Sequence, residues 1–562
     1  MTGGRLLRSA VTPADCASAN TDDVEVTDHD VADLVFPQSV ASSGPTPSGV
    51  LLWTRVDPAA AQDDRPLSVQ LGPADSDTFT ESWLVDADRV DEQHDYSVRV
   101  DLDGRLDPDT EYRYRFVYDG VASRTGYCQT LPEPDASPET FRVGVLSCQD
   151  YQNGYYGALN HVADADLDLV LHLGDFIYNS AARQFTGPGS PFLPDRDIDL
   201  PSGNERAHSL ADLRELYRVY LSTRPLQRVR ETHTMIRLWD DHAVANNRYW
   251  DYDQDAPAAP DHPKGDDPES MRDLTAAGIR TFWEYTPDRV DYNPDASHLH
   301  DRFNLWRELR YGDLVSLLLT DERLFRSKAP CSDGVLPPWP PICSGTNDPT
   351  RTMLGHRQRN WFADRLTTAE QTWTVWGNEV LSMPFQVGVN GYNVYPNVDS
   401  WDGYAAERRL IRDAMAANDD TTFVTLTGDM HTTLAGYQRR RVPGIRAGES
   451  TVENERVGVE FMTPAITSVN LAEAMALDRL PGTAQLDAGL TRTISEMNPH
   501  FAYFDSAHWG YSVAEFTRDD CTFTTYAVDK TADPAVAENS ILRRFRVPAG
   551  TTEITDVTDT TD

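Results

Sequence analysis

Apolar and polar positions follow two different rhythms along this chain. Between Val35 and Thr130, short β-prone segments succeed one another, among them "GVLLWTRV" (Gly49 to Val56), "LSVQLG", "YSVRVDLDG" and "EYRYRFVYDG". Gly, Pro and Asp turns separate them at regular spacing, which predicts a small all-β sandwich of the immunoglobulin or fibronectin type over 35–130. Residues 131–140 are Pro-rich and acidic and read as a linker. From Phe141 onward the layout changes. "FRVGVLSC", "DLVLHLGDFIYN", "THTMIRLWDDH", "GDLVSLLLTDER", "WTVWGNEV", "TFVTLTGDMH" and "VGVEFMTPAIT" are apolar runs that each end in polar residues. Helical stretches such as "LADLRELYRVYL" and "HRQRNWFADRLTTA" lie between several of them. Strands apolar on both faces, alternating with helices, predict an α/β domain over 141–545. Residues 1–34 read as a polar lead-in, 183–208 and 251–300 as long surface loops, and 546–562 as a disordered acidic tail.

Composition changes this picture in one respect. The chain has 562 residues, too many for one simple core, with 89 Asp+Glu against 50 Lys+Arg and a net charge of −39. Aromatics at 10% and recurrent apolar runs exclude disorder as the reason. Lysine occurs only at Lys264, Lys328 and Lys530. An Asp-rich, Lys-poor surface is that of a protein adapted to high salt, where charge repulsion is screened. No basic cluster offers a nucleic-acid groove. No run of about 18 apolar residues offers a membrane span. The first residues lack the apolar stretch of a secretory leader. Six cysteines are too few for a disulfide scaffold; Cys331 and Cys343 bracket a Pro-rich loop, and a bridge or two free thiols are both open.

The chemistry gathers where the apolar runs stop. In open α/β sheets, ligands bind beyond the carboxyl ends of the strands. Those ends deliver Cys148, Asp175 with Tyr178, Asp241 with His242, and Asp429 with His431. Carboxylates, imidazoles, a thiol and a phenol are metal donors, and a mixture of soft and hard donors suits a transition metal beside a second cation. Asp175 stands where one carboxylate bridges two ions, the arrangement that clamps a phosphoryl group. Without metals, so many acids at one rim would repel one another. No G-x-S-x-G elbow supports a serine hydrolase.

These strand ends resemble the blocks of the dimetal phosphoesterases, D-x-H/G, G-D-x-x-Y/N, G-N-H-[DE] and G-H-x-H. "GDFIY" fits the second block; "SCQD", "DDHAVANN" and "GDMH" stand for the others, with Cys148, Asp241 and Asp429 as departures. That set of departures resembles the PhoD-type alkaline phosphatases over roughly residues 35–530. The resemblance implies an α/β/β/α catalytic sandwich behind the β-domain and a metal-dependent phosphomonoesterase with possible diesterase activity, working by in-line attack of a metal-bound hydroxide. It implies Fe3+ held by Cys148, Asp175, Tyr178 and His431, and Ca2+ held by Asp175, Asp241 and Asp429, with Asn246 or Asn247 as an amide ligand. His242 would touch phosphate or protonate the leaving group, but Ala243 stands where the family has a supporting Glu. Small-molecule or polymer phosphate esters would be the substrates, and an exported or surface location is implied. Two alternatives stay open: a diesterase acting on lipid or polymer phosphodiesters, and a non-catalytic surface binding protein with a degenerate site.

Overall fold

The computed structural model describes residues 17–18, 27–330, 344–389, 392–441, 455–476 and 483–560. Cys331 and Cys343 lie outside these residues. The N-terminal part is all-β, as its turn-punctuated rhythm requires. A three-stranded antiparallel sheet of Val40–Thr46, Gly49–Arg55 and Ser97–Asp101 faces a second sheet built on Leu67–Pro73 and Glu111–Tyr118. Val50, Leu52, Val69, Val100, Tyr114 and Phe116 fill the space between them. The lead-in contributes Ala17–Ser18, paired with Trp83 and Leu84, and a helix at His29–Val35 capped by Asp28.

Two seven-stranded mixed sheets form the rest. Their parallel strands are β1 (Thr140–Leu146), β2 (Leu169–His172) and β3 (Met235–Arg237) in one sheet. The other sheet has β4 (Val315–Leu319), β5 (Trp373–Asn378), β6 (Thr422–Thr427) and β7 (Arg456–Met462). Antiparallel strands complete one edge of the first sheet, whose other edge is β3, and both edges of the second. The sheets pack face to face over Val143, Val145, Leu171, Val375, Val424 and Phe461, with Phe461 stacked on Phe523 at 4.6 Å. Helices cover both outer faces. Gly157–Ala163 and Arg224–Thr232 send Leu159, Val162, Leu226 and Val229 onto the first sheet, and Gly355–Thr368 and Ala405–Met415 cover the second with Phe362, Leu366, Ile411 and Met415. The α/β/β/α sandwich behind a β-domain is the architecture expected from the sequence.

Two expectations are corrected. The stretch 251–300 is not a loop: Pro268–Tyr285 is an 18-residue helix, α1 here, with Asp267 as its N-cap and Pro268 in its first turn. Met271, Leu274, Thr275, Gly278, Ile279 and Phe282 recur at helical spacing and are all buried. The tail is not disordered over 546–560 either. Asn539–Pro548 is an edge strand, and Thr555 and Asp556 pair with Arg546 and Phe545. An edge strand exposes unpaired N–H and C=O groups, and the tail supplies partners for some of them.

α1 ties the parts together through its C-terminus. The last carbonyls of a helix have no partner within it. Here Trp53 Nε1 donates to Glu284 O at 2.8 Å and Arg99 Nη1 donates to Trp283 O at 3.0 Å, both from the β-domain. Arg237, the last residue of β3, donates to Tyr285 O at 2.7 Å. Arg99 also donates to Asp288 O at 2.6 Å and lies over the Trp283 ring. Arg99→Met should therefore leave two buried carbonyls unpaired and lower stability by about 2–6 kcal/mol, since each orphaned group costs about 1–3 kcal/mol. Equilibrium denaturation of the variant checks this, and a loss below about 0.5 kcal/mol would show that the interface does not depend on this residue.

Candidate metal centre

Several parallel strands end at one rim, and the backbone turns there in an unusual way. Cys148 follows β1, Asp175 follows β2, Asp240 follows β3, and Asp429 and His431 follow β6. These residues have φ of 56°, 54°, 58°, 70° and 53°. Left-handed backbone is disfavoured for side chains with a Cβ, at a cost of about 1–3 kcal/mol each. The turns are also tight. A Cβ on Gly174, whose φ is 127°, would lie 2.6 Å from Asp240 Cβ, and one on Gly428 would lie 2.2 Å from Ser147 Oγ. Only glycine lets these strand ends approach.

The turns bring two donor groups together. Ligand atoms of Cys148, Asp175 and His431 lie within 4.8 Å of one another, and so do those of Asp175, Asp241 and His242. Asp175 belongs to both. Its Oδ2 accepts from the Tyr178 hydroxyl at 2.9 Å, and that hydroxyl lies 3.3 Å from His431 Nε2. Asp175 Oδ1 is buried with no partner among the described residues, and so is Asp240 Oδ2. Burial, then Asp240 and Asp241, pushes the Asp175 carboxyl well above the usual range. Burial also pushes Asp240 up to about 8, Asp429 up to about 7, and the Cys148 thiol and Tyr178 phenol well above their ordinary values. Burial lowers His431 and His242 to about 4, so both imidazoles are neutral lone-pair donors. An orphaned carboxylate oxygen among buried soft and hard donors is what a pair of cations would satisfy; the residues fit such ions.

One buried cation is already built in. Arg323, fully buried just beyond β4, ion-pairs with Asp240, with Asp399 at 2.7 Å, with Asp429 at 3.0 Å and with Asp241 at 3.5 Å. Burial works against ionisation of Asp241, but Arg323, His242 and the N–H of Asn247 outweigh it and hold that carboxyl below its usual value. Around this core, Asn179 Oδ1 lies 3.1 Å from His242 Nδ1, and the His242 ring stacks on Tyr178 at 4.2 Å. Ser468 Oγ sits 2.7 Å from the Tyr178 hydroxyl, and Val469 O accepts from His431 Nδ1.

Residues 143–525 match the PhoD-like phosphatase family and residues 19–132 match the N-terminal domain of PhoD-like phosphatases. The chain belongs to the PhoD-like phosphatase family. It is similar to alkaline phosphatase D of Bacillus subtilis (strain 168), with 28% identity over 480 residues, 84% of this chain and 74% of that one. A solved structure of PhoD superposes with a TM-score of 0.77 at 25% identity, covering 94% of this chain and 93% of that one.

In this PhoD-like chain the geometry sorts the candidate residues. Cys148, Asp175, Tyr178 and His431 meet at one point, and Asp241 and His242 meet Asp175 at the other. Asp429 stands outside both groups, with its Oδ1 on Arg323. Asn246 is turned to Asp261, and Asn247 reaches Asp241 through its backbone N–H at 2.7 Å. Asn179 stands beside His242, where Ala243 offers no side-chain partner. Sequence reasoning passed over Arg323, Asp399, Asn179 and Ser468. For Arg323 the signal was present, because "LLLTDER" ends as the other runs do. Removing Arg323 leaves its carboxylates uncompensated. Arg323→Met should lower stability by about 3–5 kcal/mol in metal-free buffer. Chemical denaturation measures it, and a loss under about 1 kcal/mol would mean that the four aspartates do not depend on this guanidinium.

Proposed function

We propose that this chain is a metal-dependent phosphomonoesterase whose centre is the Asp175 carboxylate shared by two cations. The family is one of phosphatases, so the reaction class is phosphoric ester hydrolysis. What carries the reading is the meeting of two donor groups at Asp175, one of whose oxygens is buried and unpartnered. Cys148, Asp175, Tyr178 and His431 form a mixed thiolate, carboxylate, phenolate and imidazole set that suits a ferric ion. Asp175, Asp241 and Asp429 offer oxygen only, which suits calcium. Bound there, the cations would supply Lewis-acid polarisation of the phosphoryl group and activation of water.

The residues of the chain do the rest. Arg323 holds Asp241 and Asp429, which come from different sheets, in one arrangement. Asn179 beside Nδ1 orients the His242 ring and leaves Nε2, 3.9 Å from Asp241 Oδ1, as a lone pair facing the site, which donates to a phosphate oxygen or the leaving alcohol only once the ring has gained a second proton. Ser468 supports the Tyr178 oxygen, and Val469 O orients His431. Cys148, Asp175, Tyr178, Asp241 and His242 are buried, which strengthens each charge interaction, while Asp429 and His431 are partly exposed.

One observation favours a second assignment of the other cation. His242, not Asp429, completes the group with Asp175 and Asp241. A nitrogen donor suits a softer divalent ion than calcium. Elemental analysis of the purified protein separates the two assignments, and protein without stoichiometric metal would instead support a binding protein with a degenerate site. Asp175→Asn should reduce hydrolysis of an aryl phosphate by at least about 100-fold; full activity would sink the mechanism. The iron-loaded protein should show a visible phenolate charge-transfer band, absent in Tyr178→Phe. Paired rates on aryl phosphate and a bis-aryl phosphodiester separate monoesterase from diesterase action, with the monoester expected to be faster.

A further inference from the structure

The stretch 183–208 folds back on the metal centre. Ala181 N–H donates to Glu205 O at 2.9 Å, Ala207 N–H donates to Asn179 O at 3.0 Å, and Ser180 pairs with Arg206. Residues 205–207 therefore run beside 179–181, immediately after Tyr178. Arg183 pins the start of the stretch, donating to Asp197 at 2.6 Å and to Gln152 O at 3.1 Å. The fold-back sets Phe185 edge-on to the His242 ring at 4.2 Å. Arg206 then lays its guanidinium 4.9 Å over the Phe185 ring.

The guanidinium of Arg206 is uncommitted. No hydrogen bond or ion pair reaches its side chain among the described residues, and its Nη1 is buried without a partner. Of the other cations near the centre, Arg323 is spent on four aspartates, Arg326 on Asp399 and Arg183 on Asp197, and Arg248 is fully buried over the Trp239 ring. In a chain with 89 acids, an arginine half-buried beside the site and paired with none of them is conspicuous. The neighbouring acids are held by amides, Asp261 by Asn246 and Asn247 and Glu205 by Gln184. A buried donor without a partner marks a place where a ligand can supply the acceptor. Guanidinium offers paired donors that match a carboxylate or phosphate.

Position decides which part of a substrate would reach it. The scissile phosphoryl group belongs at Asp175. Arg206 stands one aromatic ring beyond His242, the residue assigned above to a phosphate oxygen or the leaving alcohol. We propose that Arg206 is a specificity-determining residue that binds an anionic group on the alcohol portion of the substrate. Preferred substrates are phosphate esters whose leaving group carries a second phosphate or a carboxylate, with Phe185 flanking its carbon skeleton. This inference rests on the phosphatase reading above.

The test compares matched esters. Butyl phosphate and 1,4-butanediol bisphosphate differ by a phosphate, and phenyl phosphate and 4-carboxyphenyl phosphate differ by a carboxylate. In Arg206→Gln, KM for the more anionic member of at least one pair should rise about tenfold more than for its partner, with kcat changing less. The pair that responds names the anion, and Arg206→Lys should restore part of the preference. Equal changes within both pairs, or no change in either, would overturn the proposal. Hydrolysis of phenyl phosphate by the unaltered protein tests the phosphatase reading by itself. If that reading fails, titration calorimetry of 1,4-butanediol bisphosphate and 4-carboxyphenyl phosphate against both proteins still decides the role of Arg206, because indistinguishable binding would overturn it.

Discussion

Buried carboxylates repel one another, and this protein collects Asp175, Asp240, Asp241 and Asp429 at one rim between its sheets. In water such a set would be tolerable; in a low-dielectric interior each ionised pair opposes folding. Arg323 answers part of that repulsion. It is fully buried and pairs with carboxylates that follow β3 and β6, as well as with Asp399. It thereby links the ends of two sheets that are joined elsewhere by apolar packing. It does not answer all of it: Asp175 Oδ1 and Asp240 Oδ2 remain unpartnered among the described residues, and the thiol and phenol beside them are held protonated by burial. A single guanidinium sets the geometry and leaves an unmet demand for positive charge, which is the condition a cation site needs before any cation arrives.

The backbone meets the same demand in another way. Cys148, Asp175, Asp240, Asp429 and His431 all adopt left-handed φ at the points where strands stop. Each such residue costs folding energy, so the surrounding packing must over-determine it. The cost has a return in direction. A strand that ended in ordinary extended backbone would carry its next side chain along the sheet; a left-handed residue turns the chain so that side chains from adjacent strands converge. Gly174 and Gly428 make the close approach possible, since a Cβ at either would collide with Asp240 or Ser147. Preorganisation here is written into five backbone torsions and two missing methyl groups.

The layered fold and the donor types were legible because both are local signals. An apolar run ending in "GD" carries its chemistry beside its secondary structure. What the sequence concealed was pairing across distance. Asn179 and His242 are 63 positions apart, and Arg323 and Asp240 are 83 apart. An arginine in an acidic chain reads as surface until the fold buries it. α1 was hidden for a different reason. Its flank "APAAPDHPKGDDPES" is acidic and Pro-rich and set the tone for the whole stretch, although Met271 to Phe282 follow helical spacing without a break. The tail shows the converse case: its acidic low-complexity texture is real, but a free sheet edge gave Thr555 and Asp556 something to pair with.

The β-domain bears on the centre through one helix end. Carbonyls of Trp283 and Glu284 are capped by Arg99 and Trp53 from that domain, and the carbonyl of Tyr285 by Arg237. Arg237 closes β3, and the turn that begins three residues later carries Asp240, Asp241 and His242. The two capping sets share consecutive carbonyls, so neither can shift without disturbing the other. If the β-domain were displaced, the end of α1 would lose two of its three partners and the anchor of Arg237 would loosen with it. The strand end that supplies Asp241 is thus held from two directions, by Arg323 within the site and by a helix terminus that the N-terminal domain completes. This gives the domain a mechanical part in positioning Asp241, although Trp53 and Arg99 reach that strand end only through α1 and β3.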